Sequence, residues 1–164
     1  MSRRQSYRVM ITSGKHAVII AGLVLCFALP AGTAARSSYE TFKVGERTID
    51  AQMSELFRRC IAASRGVTTA MADCMGNEHS RVYNRQLIPA YDATLKRLLT
   101  EAARAALRND HAAWVSARKK SFRDEMNRMG GGTAAELAAR NRDLREIIRR
   151  YLWLQRYVGK GVRG

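Results

Sequence analysis

Strands have no foothold in this sequence. Nothing in it alternates apolar and polar residues with a period of two over a useful length, so a sheet is excluded and helices are left to build the fold. Long apolar runs are missing too. The longest, Ala17 to Leu29, has 13 residues, and at ~1.5 Å per residue it falls well short of the ~30 Å hydrocarbon layer. No CxxC pair occurs, which leaves Cys60, Cys74 and His79 as a zinc set lacking a fourth ligand. A phosphate loop would need a lysine and a preceding strand; with neither, Gly130-Gly131-Gly132 reads as a turn between helices. Acid–base catalysis lacks its parts as well. His79 and His111 stand singly on different helices, and the neighbours Asp124 and Glu125 point to different sides, so no nucleophile, base and orienting group assemble. The expectation is a protein that is not an enzyme and holds neither cofactor nor metal.

Acidic residues are few, 14 against 29 lysines and arginines, giving a formal net charge of +15. The first 35 residues read as a cleavable signal peptide. Arg3, Arg4, Arg8 and Lys15 precede the apolar run, and Pro30 and the small residues Ala31 to Ala35 follow it. Ser6 stands where a twin-arginine signal carries a bulky apolar residue, so Sec export is expected. Cys26 follows Leu25 rather than a small residue and is discarded with the leader. The expected location is therefore periplasmic or secreted. The leader takes four cations and no acid, which leaves the mature chain at +11 of the +15. Such a charge favours anionic company: lipid headgroups, envelope polymers or nucleic acid, the last not expected as a partner after export.

The mature chain is long enough for one core, burying about two-thirds of its unfolded surface. Residues 36–48 lack periodicity and are expected to form a loose N-terminal arm. A helical domain should follow over 49–158, with 159–164 as a basic tail. Ile49, Met53, Leu56, Phe57, Cys60 and Ile61 have helical spacing up to a break at Gly66, where Thr68 or Thr69 can cap the next helix. That helix should carry Met71, Cys74, Val82, Leu87, Tyr91, Leu95, Leu98 and Leu99, with a kink or break near 85–88 because Pro89 removes a hydrogen bond. A turn within 100–109 precedes a stripe of Leu107, Trp114, Val115, Phe122, Met126 and Met129. After the glycines, Thr133 and Glu136 have capping-box spacing, and Leu137, Leu144, Ile147, Ile148, Tyr151, Leu152 and Val158 face inward on a last helix. The expected architecture is all-α: an antiparallel bundle of three long helices plus a short N-terminal one. The two cysteines left after export, Cys60 and Cys74, should form one disulfide.

Two aromatic positions stand out. Trp114 and Arg118 are four apart on one helix face and should pack in the core, the guanidinium across the indole, with His111 against the same ring. On the last helix, a wheel at 100° per residue puts Trp153 opposite the apolar side, beside Arg149 and Arg156 and near Arg150 and Tyr157. An indole among arginines on a polar face would make a binding patch.

The order Cys60…Thr69-x-Met71-x-x-Cys74, Leu87-x3-Tyr91, Leu107-Arg108-x5-Trp114-x3-Arg118, Gly131-Gly132-Thr133 and Arg149 resembles the LprI-like lysozyme-inhibitor domain family over roughly residues 55 to 155. The resemblance implies a small exported helical domain with lysozyme inhibition as its candidate function and Tyr91, Leu107, Trp114, Arg118, Gly131 and Gly132 as framework positions. A second cysteine pair usual in the family is absent here, Ser121-Phe122 and Asn141 standing in those places with Phe122 filling the space. Ile88, Pro89 and His111 also depart from the pattern. Common animal lysozymes are themselves basic, so long-range repulsion opposes such a pairing. The last helix's Glu136, Asp143 and Glu146 could offset it locally. Sequence alone therefore leaves three readings, in descending order: an exported binding module whose partner is a lysozyme or another envelope protein, a basic protein of the envelope surface that binds anionic lipid or polymer, and an enzyme with an unfamiliar site.

Overall fold

The computed structural model describes residues 39–160, with side chains to 157; residues 1–38, which include the segment read as a leader, residues 161–164 and the side chain of Val158, expected to face inward, lie outside it. Every regular element described is helical. Two short helices, α1 (Glu46–Asp50) and α2 (Glu55–Ala63), lead into a long helical stretch, and two further long helices follow. The long stretch begins as α3 (Thr68–Val82), passes through a π-helical turn at Tyr83–Leu87, and ends as α4 (Ile88–Arg97). Then come α5 (Glu101–Arg128) and α6 (Gly132–Lys160).

Proline explains the π turn. Pro89 has no N–H to offer, and its ring crowds the preceding turn. The chain answers by widening rather than breaking: the Ile88 N–H bonds the Tyr83 carbonyl five residues back, as in other π-bulges. The disturbance expected near 85–88 thus takes the form of a π turn within an unbroken helical stretch.

Four expected boundaries move. The first helix is interrupted at Ala51–Ser54, because the Ser54 hydroxyl accepts from the Phe57 N–H and starts α2 afresh. The turn expected within 100–109 falls earlier. Leu98 is extended and Thr100 caps α5 by accepting from the Ala103 N–H at 3.1 Å; Leu99, assigned to the core, is 92% exposed in that turn. At α3 the capping residue is Val67 with no side-chain cap, so neither threonine has the expected role. Met129, placed on the inward stripe of α5, is likewise exposed at its end. α6 starts at Gly132, one residue ahead of the expected cap. Gly130, Gly131 and Gly132 all have left-handed φ, +74°, +78° and +80°, a run that only glycine tolerates without strain.

The core gathers on α6. Ala135, Ala139, Leu144, Ile147, Ile148 and Leu154 are buried on it, and α1, α3, the π turn, α4 and α5 all pack against it. Ile49, Phe57, Met75, Val82, Leu87, Leu107 and Trp114 complete the apolar cluster. The Cys60–Cys74 disulfide joins α2 to α3 with a Cα–Cα separation of 5.7 Å. Residues 39–48, expected as a loose arm, are held instead: Tyr39, Phe42 and Val44 pack on the core.

Candidate functional site

Arginine 150 is wholly buried. Its guanidinium lies 4.2 Å from the Trp153 ring centre, 4.9 Å from Tyr39 and 5.4 Å from Trp114. Nη2 donates to Asp110 Oδ2 at 2.6 Å, while Nε and Nη1 have no hydrogen-bond acceptor among the described residues; the aromatic faces supply the negative field that those N–H groups lack. Burial lowers the Arg150 pKa, with the Asp110 bond acting the other way. Arg118 lies over the same Trp114 ring at 5.0 Å and over Tyr83 at 5.1 Å. Its Nε meets Asp143 Oδ1 at 2.9 Å, and His79 Nε2 takes the other oxygen at 2.9 Å. Two arginines therefore share one indole in the interior, each with an acid.

The expected binding patch on α6 is corrected by these contacts. Trp153 is 5% exposed. Tyr39 meets it edge-on at 5.8 Å and Tyr157 tilts against it at 4.8 Å. Arg150 is interior, Arg149 is half-buried and paired with Glu146, and Arg156 is exposed but lies over Phe42 at 5.0 Å. The patch fails because the segment read as a loose arm covers it: Tyr39 donates to Glu146 Oε2 at 2.9 Å. Burial, then Glu146, raises the Tyr39 pKa, so its hydroxyl stays a donor. Glu146, Arg150, Trp153 and Tyr157 recur at helical spacing and form a second inward stripe, masked in sequence by its charges.

The Trp114 side behaves as expected. His111 stacks on Tyr91 at 4.2 Å and tilts on Trp114 at 5.3 Å. Burial, and then the nearby Arg150, push His111 down to about 4. Leu107 is buried beside them. Tyr91, Leu107, Trp114 and Arg118 thus hold α4, α5 and α6 together, while Gly131 and Gly132 make the α5–α6 turn. Of these residues Arg118 reaches the surface, where it lines a shallow cleft with Phe122 and its own partner Asp143. Among the described residues no group of three His, Cys, Asp or Glu could hold a metal ion, and no helix is long and apolar enough to cross a membrane.

Two surface features lie on the α2–α3 pair. Below the disulfide a groove of about 620 Å³ is lined by Leu56, Phe57, Cys60, Cys74, Glu78 and Arg85, among others. Leu56 is 77% exposed at its edge. Glu78 is buried and fully engaged: it accepts from Ser54 N–H (2.7 Å), Ser54 hydroxyl (2.8 Å) and Arg81. Burial raises the Glu78 pKa, but the Arg81 and Ser54 bonds outweigh it and hold the carboxyl low. The groove's one carboxylate is therefore structural, tying α2 to α3. Above the disulfide, the chain turns at Ser64–Val67, with Arg65 at φ +48° and Gly66 at φ +80°. Gly66 marked a break in the sequence; nothing there marked Arg65.

Compared with known proteins, the chain matches the family model described as Lysozyme inhibitor LprI over residues 60–154, more than half its length. No curated protein and no solved structure matches it. The matched segment runs from Cys60 at one end of the disulfide to Leu154 in the α6 core, and so contains the shared Trp114 cluster and the Ser64–Val67 turn.

Proposed function

Given that the chain belongs to the LprI family of lysozyme inhibitors, we propose that it is a non-catalytic exported binding domain whose partner is a lysozyme. The family match over 60–154 is the observation that carries this reading. The distribution of charge supports it. Arg81, Arg104, Arg118, Arg140, Arg145 and Arg150 are each paired with an acid of this chain, so much of the positive charge is neutralised at short range. Export through the residue 1–35 leader, with a periplasmic or secreted destination, belongs to the same reading.

The net charge favours a second reading, a basic protein of the envelope surface that binds anionic lipid or polymer. Salt separates the two. Binding carried by exposed charges collapses as the Debye length shrinks from ~10 Å at 0.1 M to ~3 Å at 1 M, and a packed protein interface persists. The direct test is the lysis of bacterial cell walls by lysozyme with increasing amounts of the mature protein, at physiological and at high salt. Dose-dependent loss of lysis at both salts is the expected result. Unchanged lysis, with capture on anionic vesicles that elutes at moderate salt, would replace the first reading by the second.

A further inference from the structure

We propose that the Ser64–Val67 turn is the contact surface for the lysozyme, with the Arg65 guanidinium entering the enzyme's carboxylate-bearing cleft; this rests on the inhibitor reading above. The turn is closed by the Val67 N–H donating to the Ser64 carbonyl at 2.9 Å. Its central residues have φ +48° and +80°, the signs of a type I′ turn, whose positions normally go to Gly, Asn or Asp. Arg65 is the one non-glycine residue with positive φ among those described. Glycine there would serve the fold better, so what holds arginine at the apex lies outside the fold.

The surroundings of the turn point the same way. Arg65, Gly66 and Val67 are all exposed, Val67 at 55%. Among the described residues no acid pairs with Arg65, although Arg58 and Arg59 one helix earlier both bond Glu55. The turn is also stiff. The Cys60–Cys74 bridge clamps the helices on either side, and buried Ser64 donates to the Ile61 carbonyl at 2.6 Å. A rigid protrusion loses little entropy on docking.

A free guanidinium beside an exposed valine, on a stiff convex turn, complements a concave site that holds carboxylates. A retaining glycosidase presents two such groups ~5–5.5 Å apart, and a planar guanidinium can bond a carboxylate through two parallel N–H donors. This also removes the obstacle of like net charge. Repulsion between two cationic proteins is screened beyond about 8–10 Å, whereas the cleft is negative at contact.

The test measures calorimetric affinity and inhibition of lysis for the mature protein against one lysozyme, and calorimetric affinity alone against that lysozyme with its general-acid carboxyl changed to the amide, which no longer lyses. Arg65→Gly should weaken binding at least about tenfold, as loss of an interface anchor does, with the thermal midpoint unchanged or raised because glycine suits the turn. Arg65→Glu should weaken it further. Lys96→Glu, the same charge change at an exposed site on another helix, should stay within about twofold, since exposed charges away from an interface contribute little. The amide enzyme should bind the wild type more weakly, with no further loss for Arg65→Gly, since a shared contact couples the two changes. If the wild type inhibits and Arg65→Gly inhibits equally, or Lys96→Glu loses as much, the turn is not the contact and the inhibitor reading stands. If the wild type binds neither enzyme, the inhibitor reading falls and the turn's role falls with it.

Discussion

Arg150 and Asp110 join α6 to α5 through a 2.6 Å bond made beneath three aromatic rings, with the arginine side chain wholly out of water and the aspartate partly in it. Removing the acid should hurt more than removing both partners. Asp110→Asn leaves a buried cation without its countercharge, and a loss of about 2–4 kcal/mol is expected, near the lower end for a broken buried pair because Asp110 keeps some hydration. The double variant Asp110→Asn, Arg150→Met removes the charge as well as its partner and should recover part of that loss. Urea unfolding of the three proteins measures both values; a double variant less stable than Asp110→Asn would show that the rings, more than the acid, hold the arginine.

The two tryptophans should respond alike. Both are nearly buried, Trp114 at 7% and Trp153 at 5% exposure, and both face Arg150. Truncating either to alanine should cost about 3–5 kcal/mol, the range for a large buried aromatic. Thermal or urea denaturation reads the difference. A Trp153→Ala protein as stable as wild type would mean that the segment carrying Tyr39 does not cover this face in solution.

Reduction should loosen the α2–α3 pair more than the rest of the molecule. Cys60 and Cys74 close a 14-residue separation, worth about 3 kcal/mol in the chain-entropy treatment. Neither sulfur should react with thiol reagents until a reductant is added, and Cys74→Ala should lower stability by about 2–4 kcal/mol. Hydrogen exchange after reduction should rise first in α2 and the Ser64–Val67 turn, with α6 still protected.

Acid should weaken the fold through His111 before it reaches the carboxylates. Its folded pKa is lowered from 6.5 to about 4, by burial first and Arg150 second. The unfolded chain therefore takes up the proton first, and the neutral ring's contribution is complete above about 6.5 and lost as pH falls from there toward 4. Glu78, also depressed, contributes above its ordinary range near 4.5 and loses that contribution only at lower pH. Stability measured between pH 7 and 5 should fall in the wild type and stay flat in His111→Phe, which keeps an aromatic ring against Tyr91 and Trp114. An equal slope in both proteins would assign the titration to another group.

What could be seen in the sequence was whatever depends on neighbours along the chain. Helical spacing from Leu137 to Leu152, the glycine turn and the strain at Pro89 are local properties of backbone and side chain, and each has its counterpart in the structure. The Cys60–Cys74 bridge followed from their being the two cysteines outside the segment read as a leader. The Trp114–Arg118 pairing was visible because four residues make one helical turn.

Position in space decided the rest. Trp153 and Arg150 lie on a face of α6 that a wheel drawn for one helix assigns to solvent, and on an isolated amphipathic helix that assignment would stand. α6 is surrounded, however, and its second face is closed by α5 and by Tyr39 and Phe42, which come from a segment with no periodicity of its own. The two differences have one cause: Tyr39 and Phe42 lie over the Trp153 face, which would be exposed if that segment were loose. Arg65 carries no signal in the sequence for a related reason. Its left-handed backbone follows from closing two bridged helices in a four-residue turn, and that closure is settled by how α2 and α3 pack.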